Sequence, residues 1–141
     1  MSKTCALPKS VFPLKFKVDS PVHALQLARK LIKPFRYWTV GSLAEGKDKD
    51  GDIHSVGVKS TKAEAFCALG ALLRVNTRHQ KRAKFFLQQA AAEYMGTDPI
   101  YAREADIFDV NDRGQDKETH REVLKMFARA IQLAKKAAGK K

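Results

Sequence analysis

Cys5 and Cys67 are the only cysteines in 141 residues. Two are too few for a disulfide framework, so a reducing compartment is expected. Long apolar runs are missing, and no stretch approaches the ~18 residues of a membrane span. The opening Met1-Ser2-Lys3-Thr4-Cys5-Ala6-Leu7-Pro8-Lys9 lacks the apolar segment of a secretory signal. A cytoplasmic location is therefore expected. No Gly-rich phosphate loop and no nucleophile elbow occur. His23, His54, His79 and His120 are scattered and form no pair at metal-ligand spacing. No catalytic residue, cofactor or metal is assigned, and a non-enzymatic protein is expected.

Acid is scarce over long stretches. None occurs from Ala65 to Ala92 or after Glu122, and Asp19 is the single acid among the first 44 residues, against eight Lys and Arg. The acids gather in Glu45 to Asp52 and in Glu93 to Glu122. The net charge is +12 and the pI about 9.9. A surface with its charge segregated in this way produces a directional field that favours a polyanionic or acidic partner.

The hydrophobic share of 44% and the charged share of 30% fit a folded domain. The expected organisation is a flexible basic N-terminus over residues 1–10, a single α+β domain over 11–138, and a basic tail over 139–141. Val11 to Val18 reads as an edge strand after Pro13. Ser20-Pro21 starts a helix that Pro34 ends. Tyr37 to Leu43 and Ile53 to Val58 read as a β-hairpin with Asp50-Gly51 near its tip. Three capping boxes are expected to open helices: Thr61 with Glu64, Thr77 with Gln80, and Thr119 with Glu122. The first of these runs to Val75 before a stop at Asn76, the second to Met95 before Gly96, and the third to Ala138. Asp98-Pro99 opens a short helix or turn through Ala105, and Asp106 to Gln115 reads as an acidic loop. The fold class is α+β: a mostly helical domain of about four main helices with a small antiparallel hairpin or sheet.

Arg74, Arg78, His79, Lys81, Arg82 and Lys84 form the first basic cluster. Arg78, Lys81 and Arg82, spaced i, i+3, i+4, share a face able to neutralise successive phosphates. They also open a helix, where the macrodipole disfavours cations, so an anionic partner gives them a motive. A solvated face is the competing reading. Lys117, Arg121, Lys125 and Arg129 form a second basic face, whose later part is explained by the cation preference of a helix C-terminus. Aromatic interleaving is weak: Phe85 alone points outward, and Trp38 is expected in the core. Asp48, Asp50 and Asp52 fail the EF-hand pattern because Gly51 precedes the third acid. Asp106, Asp109 and Asp112 are read as turn and capping residues. Cys67, read as mid-helix beside Phe66 and Leu69, is expected to be buried and inert.

Trp38-Thr39-Val40-Gly41, the Asp50-Gly51 turn and Cys67-Ala68-Leu69-Gly70-Ala71 resemble a family of small uncharacterised proteins of bacteria and their phages. Asn111-Asp112 and Thr119-His120-Arg121-Glu122-Val123-Leu124 extend the likeness, which covers about residues 21 to 135. The resemblance implies a bacterial or phage setting, a mostly helical small fold and no assigned activity. The Trp, Gly, Cys and Asn-Asp positions are read as framework.

The resulting expectation is a phage-encoded accessory protein in the cytoplasm of a bacterial host. It binds nucleic acid, DNA or RNA, or a nucleic-acid-handling complex, and no membrane. The contact residues are Arg74, Arg78, His79, Lys81, Arg82 and Lys84, with Lys15, Lys17 and the C-terminal lysines. The alternative is a protein–protein inhibitor or adaptor docking on an acidic host protein.

Overall fold

The computed structural model describes residues 17–75 and 78–139. Five α-helices and a three-stranded antiparallel sheet build a mostly helical α+β domain. The helices are α1 (Pro21–Ile32), α2 (Ala68–Val75), α3 (Gln80–Met95), α4 (Glu104–Asn111) and α5 (Lys117–Ala138). The strands are β1 (Ala44–Lys47), β2 (Ile53–Ser55) and β3 (Ala65–Phe66), in the order β2-β1-β3. The expected strand Val11 to Val18 and the Asn76 and Thr77 boundary lie wholly or largely outside the described residues.

Ser20 caps α1 by accepting from His23 N, with Pro21 in the first turn. Gly96 ends α3 in the left-handed region at φ 79, which glycine adopts without a Cβ penalty. Several boundaries differ from the sequence reading. Thr61 to Glu64 opens no helix, because Glu64 N donates to Glu45 O and Cys67 N to Leu43 O. Sheet pairing takes those donors, and α2 begins only at Ala68. The hairpin keeps its Asp50-Gly51 turn but moves along the chain, pairing Glu45 with Ser55 and Lys47 with Ile53. Tyr37 belongs to a 3-10 turn (Phe35–Tyr37), and Trp38 meets Phe66 in a single bridge. The expected acidic loop is largely α4. Asp106 accepts from Arg103 N at 2.9 Å, satisfying a first-turn donor, while Ile107 and Val110 bury one apolar side. The last helix starts at Lys117, with Asp116 rather than Thr119 as its cap; Asp116 accepts from Thr119 N at 2.8 Å.

Phe66, Phe127, Leu25, Ile32, Leu72, Leu87 and Ile107 lie at the centre, all fully buried. Each contributes about 1.5–3 kcal/mol of burial free energy. Two long-range hydrogen bonds set the register of α1 on α5. His120 Nε2 donates to Ile32 O at 2.7 Å, and Arg29 Nε donates to Leu124 O at 3.0 Å. Residue numbers rise on one helix as they fall on the other, so the two run antiparallel.

A second relation orders α3, α4 and α5. Lys84 pairs with Glu104 at the start of α4, and Arg113, just after α4, stacks over Tyr94 at 5.3 Å. Helix α4 therefore runs parallel to α3. Helix α5 packs against α3, and Arg129, past the middle of α5, bonds Glu93 near the end of α3. The start of α1 therefore lies towards the end of α5. Among the described residues no helix is long and apolar enough to cross a membrane.

Candidate functional site

Exposed cations come from three separate parts of the chain. Arg78 is exposed in the turn before α3, and Lys81 and Arg82 are exposed in its first turn. Lys17 lies exposed just before α1, and Lys135 and Lys136 are exposed in the last turn of α5. Among the described residues, none of these six takes part in an ion pair. Asp19 lies two residues from Lys17, with its carboxylate 3.5 Å from His23 Nδ1. Arg82 is held in place by aromatic faces, its guanidinium 5.0 Å from the Phe85 ring centroid and 4.7 Å from that of Phe86. That stacking orients the group without neutralising it.

Other members of the expected cluster lie elsewhere or are engaged. Arg74 is 1% exposed and is no surface cation. Its Nη1 donates to Val58 O and to Ser60 O, both at 2.7 Å, and its guanidinium lies 5.4 Å from the Phe66 ring centroid. Burial lowers its pKa from the ordinary arginine value. Helix α2 points this residue inward, where it ties the 58–60 loop to the core. Lys59 Nζ in turn donates to Arg74 O at 3.0 Å, closing the end of α2. Lys84 is half-buried and bonded to Glu104 at 2.8 Å. His79 is half-buried at the N-cap of α3. Lys15, Lys140 and Lys141 lie outside the described residues. On the second basic face, Arg129 is held by both oxygens of Glu93, at 2.7 and 3.2 Å.

The motif residues form a structural knot. Asn111 is fully buried. Its Oδ1 accepts from Trp38 Nε1 at 2.7 Å and from Ala68 N at 2.9 Å, and its Nδ2 donates to Thr39 O at 3.1 Å. Asp112 Oδ1 accepts from Asn111 Nδ2 and from Gly41 N. Cys67 is not mid-helix: it is the residue before α2, and its Sγ accepts from Gly70 N at 3.3 Å. A helix start would favour the thiolate, yet burial wins and pushes the thiol pKa up to about 11. Gly70 lets α2 lie against the chain at Leu43, since a Cβ there would come 1.8 Å from Leu43 O. Among the described residues no cluster of His, Cys, Asp and Glu is arranged to hold a metal ion. At the hairpin, Asp48 spends its oxygens on Asp50 N, Asp52 N and His54.

The acid-free window from Ala65 to Ala92 signalled the exposed cations of α3. It could not separate them from Arg74, because the inward turn of that residue depends on where α2 begins. The exposed residues Ile100 and Tyr101, in the 3-10 turn Pro99–Tyr101, went unremarked in the sequence because a Pro-bounded turn has no periodicity to mark which side chains face out. Searches of curated proteins and of solved structures find no match. A family model matches residues 17–133, which hold the whole bundle except the last turn of α5, and the chain belongs to that family of unknown function, DUF6197.

Proposed function

We propose that the protein is a non-enzymatic accessory factor, of bacterial or phage setting, that binds nucleic acid through the exposed cations at the start of α3. The observation that carries this reading is the set of Arg78, Lys81 and Arg82 at the start of α3, with Lys17, Lys135 and Lys136 likewise exposed and all six outside any ion pair among the described residues. Cations grouped in this way gain by releasing counterions from a phosphate backbone. Contacts to phosphate orient the partner and carry little sequence information. The Trp38, Gly41, Cys67, Gly70, Asn111 and Asp112 motif acts as the family's fold framework and not as its site.

The test is a salt titration with labelled mixed-sequence DNA and RNA. Affinity is expected to fall at least ten-fold between about 50 and 200 mM salt. Binding that ignores salt, or no binding at low salt, removes the proposal. An acidic host protein retained after nuclease treatment of the lysate, with no binding to nucleic acid, favours the adaptor reading instead.

A further inference from the structure

Helix α3 and the turn packed on it carry uncovered apolar side chains. Phe85 is 41% exposed, Ile100 77% and Tyr101 75%. The Pro99–Tyr101 turn packs against α3, and three residues later Glu104 reaches Lys84, next in sequence to Phe85. At ~3.5 Å per residue, Tyr101 stands within roughly 11 Å of the Glu104 backbone. Phe85 is thus exposed on the same helical face as Lys81 and Arg82, and Tyr101 is exposed in a turn packed against the same helix. Phe85 is held by its neighbours, with its ring 5.4 Å from Phe86 in an edge-to-face arrangement and Arg82 over it.

Building on the nucleic-acid reading above, we propose that this face takes a single-stranded polynucleotide. Phosphates lie along Arg78, Lys81 and Arg82, and unpaired bases stack on Phe85 and Tyr101. The charge complementarity is supplied by the cations, and the rings select the form of the strand. A duplex keeps its bases stacked inside and offers these rings only sugar and phosphate. A single strand offers a π-face at every nucleotide, and aromatic side chains beside a basic track are the general means of holding it. DNA and RNA share this chemistry.

The experiment measures fluorescence anisotropy at fixed low salt with a strand of about 20 nucleotides as DNA, as RNA and as duplex DNA. Wild type is compared with Phe85→Leu and Tyr101→Leu, which keep apolar bulk but lose the ring. Both sites are surface positions, and an unchanged thermal midpoint confirms that each variant is folded. Single strands are expected to bind at least ten-fold more tightly than duplex. Each ring variant should weaken single-strand binding roughly ten-fold and leave duplex binding and the salt slope unchanged. Either single strand bound in this way supports the proposal, and the tighter of the two names the sugar. Duplex bound as tightly as single strand, or ring variants without effect, overturns the single-strand inference while salt-dependent binding through Arg78, Lys81 and Arg82 stands. No binding to any of the three overturns both.

Discussion

Asn111 Oδ1 accepts two hydrogen bonds at once, from the Trp38 indole at 2.7 Å and from Ala68 N at 2.9 Å. One oxygen thereby joins the end of α4 to the segment after α1 and to the first turn of α2. These donors are buried away from water, so each costs about 1–3 kcal/mol if left unmade.

Asn111→Ala is expected to lower unfolding free energy by about 2–5 kcal/mol in a urea titration. Asn111→Asp keeps the acceptor but loses the donor to Thr39 O and places a charge beside Asp112, so it should also be destabilising. A loss below about 1 kcal/mol for Asn111→Ala would mean that the knot does not hold the fold.

Gly70→Ala separates local propensity from packing. In an isolated helix, Ala is better than Gly by about 1 kcal/mol. Here the added Cβ would come 1.8 Å from Leu43 O, a backbone atom that cannot swing aside. The substitution should destabilise by several kcal/mol or prevent folding, as read by circular dichroism and thermal melting. A stabilised variant would contradict the packing of α2 against the chain at Leu43.

Cys67 should be almost unreactive while the protein is folded. Its thiol is buried and its pKa stands at about 11, above the ordinary 9.0. The folded state therefore prefers the neutral thiol. Its contribution to stability is complete below pH 9 and is lost as the pH rises towards 11. Iodoacetamide at neutral pH should label Cys67 at the rate of global unfolding, as mass spectrometry would follow. Rapid labelling of native protein would contradict the burial of Cys67.

Arg74 and Arg78 should behave as different kinds of arginine. Arg74→Ala removes the two bonds to Val58 O and Ser60 O and leaves a cavity, with an expected cost of about 2–4 kcal/mol. Arg78→Gln should change stability by less than about 0.5 kcal/mol, since the side chain is exposed. Thermal melts of the two variants in parallel check the contrast.

The elements most readable in the sequence are those whose signals are local. Ser20-Pro21, Pro34, Gly96 and the stripes of α1, α3 and α5 act within a turn or two of themselves. The start of α2 was not readable, because Glu64 N and Cys67 N are claimed by Glu45 O and Leu43 O about twenty residues away in the chain. Helix α4 was hidden by its composition. Asp106 and Asn111 look like loop residues, yet one caps the helix and the other is buried as a hydrogen-bond hub. The basic site was half legible for a related reason. Charge segregation is a property of composition, whereas the inward turn of Arg74 and the pairing of Lys84 with Glu104 depend on tertiary register.

The most direct test of the central claim is the salt dependence of single-strand binding by wild type and by the combined Arg78→Gln, Lys81→Gln and Arg82→Gln variant. Each phosphate neutralised on a single strand contributes about −0.7 to the slope of log affinity against log salt. The wild-type slope should be about −2 or steeper, and the variant should lose about 2 of it while keeping the wild-type melting temperature. Equal slopes for the two proteins, or no binding by wild type at low salt, would contradict the account.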